Sequence, residues 1–179
     1  QNCPEGQLEC EAALDGGAPE IDDELLADVV LYANTLAVPA RRDVDDPEVL
    51  RGKALFTELG CADCHTPRHV TGPDDAVPEA AGQTIFTFTD LLLHDMGPEL
   101  ADGRDDFLAT GDEWRTPPLW GIGLVETVNG HTEFLHDGRA RSLLEAVLWH
   151  GGEAAASRDA VLALSRGERD QLLAFLRSL

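Results

Sequence analysis

Basic side chains are scarce in this 179-residue sequence. Lysine and arginine together number 13 against 34 aspartates and glutamates, a formal net charge of −21, and Lys53 is the single lysine. A surface of that sign repels nucleic acid and anionic lipid and draws in basic partners. No apolar run approaches the roughly 20 residues that cross a bilayer as a helix, so no membrane span is expected. Cysteine is limited to four positions, 3, 10, 61 and 64, too few for a scaffold stapled by several disulfides. A chain of this length supports a core without staples, as one domain or one with a small extension. Aromatic residues are few as well, yet Trp114, Trp120 and Trp149 all fall in the C-terminal half, as they would around something large and flat.

The pattern of what is present reads mainly α. "DDELLADVVLYANTLAV" carries apolar residues at Leu25, Leu26, Val29, Val30 and Ala33, a helical period, and is expected to stop near Pro39. Asp46-Pro47 supplies an N-cap and a proline at the first helical position. The helix so begun should run to about Leu59, with Val49, Leu50, Ala54 and Leu55 inward and Gly60 closing it. From Thr66 to Pro118 no long period exists, so this stretch is expected to be a wrapping loop with short helical turns near Phe88–His94. "VETVNGHTEF" alternates around Asn129-Gly130 and predicts one small β-hairpin. Beyond it are two capping boxes, Ser142 with Glu145 and Ser165 with Glu168, each opening a helix. The expected division is an N-terminal extension over 1–45 and a main domain over 46–179.

The chemistry sits in "GCADCHTP", Gly60 to Pro67. A thioredoxin-like redox pair wants C-x-x-C beside a βαβ unit, and no such pattern is present. Structural zinc usually wants a second C-x-x-C; Cys3 and Cys10 could complete a four-sulfur site only from a six-residue spacing at the terminus. The third chemistry uses His65 too. In C-x-x-C-H two thiols add across the vinyl groups of haem and the adjacent imidazole reaches the iron from one face. Cys61 and Cys64 are therefore read as thioether attachment points of a single haem c and His65 as the proximal ligand. In bacteria such attachment is made outside the cytoplasmic membrane, so a periplasmic or extracellular protein is expected. In that oxidising setting a Cys3–Cys10 disulfide is expected too.

Opposite His65, the residues alone leave two ligand candidates open. Met96 is the only methionine, on the long loop, and His150 ends the helix "SLLEAVLWH". An open position permits peroxide or oxygen chemistry, whereas a strong sixth ligand favours electron transfer.

The segment "RGKALFTELGCADCH", with Gly52 four residues before Phe56, resembles the first helix of class I c-type cytochromes. There a glycine admits the last helix and an aromatic packs at the crossing; Leu172 and Phe175 are the partners this implies. A longer resemblance runs from about Leu50 to the C-terminus. "LFTELGCADCHTP", "TDLLLHDMGPELADG", "EWRTPPLWGIG", "FLHDGRARSLLEAVLWHGGEA" and "LLAFLRSL" are similar to the C-terminal half of the di-haem oxidoreductase, or thiol-oxidoreductase-like, family, which is related to bacterial di-haem cytochrome c peroxidases. This implies a cytochrome c-like fold with haem-wrapping loops, and it favours His150 over Met96 as distal ligand. It also implies that Arg115, Arg139 and Arg141 neutralise haem propionates, while Trp120 and Trp149 wall the haem. The family counts two haems and this chain has one C-x-x-C-H. The leading expectation is thus electron transfer by one six-coordinate haem, with basic redox proteins as partners. A peroxidase-like role, alone or beside a second haem-bearing domain or subunit, is the alternative.

Overall fold

The computed structural model describes residues 6–14, 16–73 and 77–179. By contact density the chain divides into two units. The smaller comprises Gln1–Ala37 with Gly72–Gly82, the larger Val38–Thr71 with Gln83–Leu179. Cys3, the expected partner of Cys10, lies outside the described residues.

In the smaller unit, α1 is a single turn, Leu8–Glu11, and α2 spans Asp23–Thr35. The side chain of Asp22 caps α2 by accepting from the Leu25 N–H at 2.8 Å. α2 ends four residues before Pro39, as Leu36 turns to an extended conformation. Its apolar period is real, yet none of its side chains is buried.

The larger unit is mainly α and is built on a helix crossing. α3 runs Pro47–Glu58 and α8 runs Arg166–Ser178. Gly52 makes the crossing close: a Cβ there would overlap the Gln171 carbonyl and lie 2.8 Å from the Phe175 Cβ. Phe56 and Phe175 pack with ring centroids 5.2 Å apart, and Phe88 meets both at 6.0 and 5.7 Å. Around this trio Val49, Leu119, Val161, Leu172 and Leu176 complete a buried core. Leu50, expected inward, is 52% exposed; Val49, Gly52, Leu55 and Phe56 are the buried set. Gly60 adopts a left-handed φ of 79° and ends α3.

The expected hairpin at Asn129-Gly130 is not formed. Val125–Asn129 is a short helix, α5, and Gly130 is its left-handed C-cap, donating its N–H to the Glu126 carbonyl. The positive φ that makes Asn-Gly a hairpin signal serves a helix end equally well. The strands lie in the stretch expected to be loop. β1 (His69–Val70) pairs with β2 (Thr84–Ile85), and β3 (Leu93–Asp95) pairs with β4 (Glu113–Arg115), both antiparallel. Hence Phe88–His94 is not helical; Phe88 and Leu91 hold positive φ values of 53° and 62°.

After α6 (Leu143–Leu148) comes a helix the periodicity did not reveal, α7 (Ala155–Ala163). Ser142 accepts from the Glu145 N–H as expected, while Glu145 reaches the Arg141 N–H rather than that of Ser142. At α8 the capping box is complete in both directions. Ser165→Ala should therefore cost about 1 kcal/mol of stability, read as a lower urea midpoint with an unchanged slope.

Candidate haem site

The motif forms one helical turn, α4 (Cys61–Cys64), entered through Gly60 and left at His65, whose N–H donates to the Cys61 carbonyl at 3.0 Å. Three residues apart on a turn, both thiols lie on one side. They are free cysteines. Burial pushes the Cys61 thiol up to about 11; Cys64 is raised too, by burial first and then by Asp90, Glu153 and Asp63. A disulfide-exchange site needs the opposite shift. Among the described residues, the cluster whose ligand atoms converge within 4.8 Å is Cys64, Asp90 and His94, which leaves out Cys61 and His65.

His65 is held from the long loop. Its Nδ1 donates to the Phe88 carbonyl at 3.0 Å, and its ring lies 6.2 Å from that of Phe56. The loop is fastened to the motif by Thr89 N–H to the Thr66 carbonyl and Asp90 N–H to the Cys64 carbonyl. On its other side, the Thr89 hydroxyl donates to the Thr116 carbonyl at 2.7 Å.

Opposite stands His150. Its Nδ1 donates to the Ala146 carbonyl one turn back in α6, at 2.8 Å, and its ring centroid is 6.4 Å from that of His65, at 49°. With Nδ1–H committed on both rings, each Nε2 keeps its lone pair. Burial pushes His65 down to about 4 and also lowers His150, favouring the neutral form of both rings. Two imidazoles on opposite sides of one metal, bound through bonds of about 2 Å, have centroids about 6.2 Å apart, allowing roughly 1.1 Å from nitrogen to ring centre. The donor set and spacing fit an iron between the two rings.

Other expected residues are dispersed. Met96 lies in the turn after β3, its carbonyl packed against Gly151 just beyond His150. Arg139 stacks its guanidinium 4.9 Å over the Trp149 ring, pairs with Asp137 at 2.7 Å and donates to the Glu99 carbonyl. Arg141 is exposed and faces Glu145; Arg115 is exposed on β4. Trp120 lines a cavity of about 240 Å³ with Arg41, Phe86, Phe88 and Leu179, whose walls include neither histidine nor either cysteine. His136 is exposed and stacks on Trp114 at 3.5 Å.

Sequence reasoning missed three features. The Phe88 carbonyl carries no signal beyond its backbone. The Trp114 indole N–H is buried with no partner among the described residues. His94 bonds Asp90 and Glu153 through its two ring nitrogens, both at 2.9 Å; these bonds, Glu153 first, raise its pKa. Only the i, i+4 spacing of Asp90 and His94 could have hinted at it.

A mainly helical unit in which a C-x-x-C-H turn presents one half-buried imidazole to another defines a candidate haem protein. The family model described as "Di-haem oxidoreductase, putative peroxidase" matches residues 6–179, and the chain belongs to that family. No curated protein and no solved structure matches it significantly. The family assigns a haem-based redox role. Among the described residues no helix is long and apolar enough to cross a membrane.

Proposed function

We propose that this chain carries one covalently attached haem c and passes single electrons. Cys61 and Cys64 hold the haem by thioethers, His65 is the proximal ligand and His150 the distal one. The observation that carries the reading is the facing imidazole pair at 6.4 Å, each Nδ1 tied to a carbonyl. A bound haem would supply the electron-accepting centre; His65 and His150 would hold it through their Nε2 atoms, with Phe56, Phe88 and Phe175 packed beside His65. Two imidazoles kept in place through a redox change would keep reorganisation small. Bis-imidazole ligation implies a lower potential than histidine–methionine ligation. Segment 46–179 is the haem domain and 1–45 an extension, joined within itself by Cys3–Cys10. The compartment is periplasmic or extracellular, and the excess of acidic residues suits a basic redox partner.

Magnetic circular dichroism of the ferric protein into the near infrared is the test. A bis-imidazole charge-transfer band is expected, and His150→Ala should convert the iron largely to high spin. A methionine–histidine band would move the ligand to Met96 and overturn the assignment.

The second reading, a peroxidase-like enzyme, alone or with another haem-bearing domain or subunit, is favoured by the family's two haems against the single C-x-x-C-H here. Peroxide turnover by the chain alone would support it.

A further inference from the structure

We propose that Asp90, His94 and Glu153 form a latch that keeps His150 facing His65, and that His94 is its central positioning residue. The inference rests on His150 being the distal ligand.

α6 has only six residues and no fully buried side chain, and although Leu143, Leu144 and Val147 pack on the core, His150 lies two residues beyond its end at Leu148. The turn just beyond His150 is held much more firmly. Glu153 accepts at Oε2 from His94 Nδ1 at 2.9 Å and at Oε1 from the Asp95 N–H at 3.0 Å. His94 Nε2 reaches Asp90 Oδ2 at 2.9 Å, and the Asp90 N–H donates to the Cys64 carbonyl at 2.9 Å. A continuous chain of hydrogen bonds therefore runs from the haem-attachment turn, through His94, to the third residue after His150.

Backbone contact reinforces it. A Cβ on Gly151 would meet the Met96 carbonyl oxygen at 2.7 Å, and one on Gly97 would meet the Gly152 nitrogen at 2.9 Å. A Cβ on Gly152 would likewise overlap the Asp95 carbonyl, so Gly151 and Gly152, directly after His150, let Asp95–Gly97 lie against the turn. The bland alternative is a set of surface ion pairs with little net effect. Against it, the His94 side chain is only 17% exposed and engages both carboxylates at once.

Opening the latch should let His150 leave more often without unfolding the core, since the α3–α8 packing does not involve these groups. The rate at which cyanide binds the ferric holoprotein reports that departure. His94→Leu and Glu153→Ala should each speed cyanide binding about tenfold or more, the loss of one or two charge-assisted bonds. The ferric spectrum should gain high-spin character, and added imidazole should restore the low-spin form. Glu153→Gln, which keeps the acceptor for the Asp95 N–H, should fall between wild type and Glu153→Ala. Arg51→Ala, which breaks the distant Arg51–Glu58 pair, should change nothing. Wild-type cyanide rates in both latch variants would overturn the proposal, as would equal acceleration by Arg51→Ala. His150→Ala separates the two claims: if it leaves rate and spectrum unchanged, the ligand assignment itself has failed.

Discussion

A Cys61→Ala, Cys64→Ala variant is expected to be made without any haem that survives acid–acetone extraction, while the parent keeps its colour on the chain. Of the three chemistries open to C-x-x-C, haem attachment uses both thiols together with the adjacent His65, whose half-buried ring commits Nδ1 to the Phe88 carbonyl and leaves Nε2 for a metal. The thiols themselves argue the same way. Cys61 is raised to about 11, a poor nucleophile for disulfide exchange, and Cys61 lies outside the one converging cluster of metal-type ligands among the described residues. The single variants should retain one thioether each, with the α-band of the alkaline pyridine complex shifted towards that of a singly attached haem. Extractable haem in the parent would instead leave the histidine pair without covalent support and reopen zinc.

Gly52→Leu is expected to be the most damaging single change to the core. α3 and α8 touch at this position: the new Cβ would overlap the Gln171 carbonyl, part of a helical backbone that cannot move alone, and would press on the Phe175 Cβ 2.8 Å away. Phe175 is fully buried and shares the aromatic cluster that reaches the His65 ring through Phe56. The cost should lie at or above the upper end of the roughly 1–3 kcal/mol typical of overpacking, with perturbation of the site as well as of stability. Gly167→Ala provides the contrast. It lies on exposed α8 surface with nothing within 4 Å of an added Cβ, so it should gain roughly 0.5–1 kcal/mol. Opposite shifts in the urea midpoint for these two glycines would locate the crossing; equal shifts would remove the close approach from the account.

Local rules were enough for some of this architecture. Asp46-Pro47 starts α3 and Gly60 ends it because an N-cap, a proline at the first turn and a left-handed glycine act within a few residues. Ser165 with Glu168 opens α8 for the same reason. Local rules misled where one backbone conformation serves two purposes, as at Asn129-Gly130, where Gly130 caps a helix instead of turning a hairpin. They were silent on α7, whose alanine-rich run has little periodic contrast, and on β3–β4, three-residue strands whose partners lie 18 to 22 positions away.

By itself, then, the sequence determined the helix boundaries that depend on caps, the C-x-x-C-H turn and the family to which the chain belongs, since each of these is written in neighbouring residues. Residue types alone left both Met96 and His150 open opposite His65, and the family resemblance favoured His150. Only the tertiary structure decided which ring stands 6.4 Å away, and that Asp90, His94 and Glu153 meet beside it. Those contacts join segments 59 to 85 residues apart, and such distances are closed by the packing of the whole core rather than by any local preference.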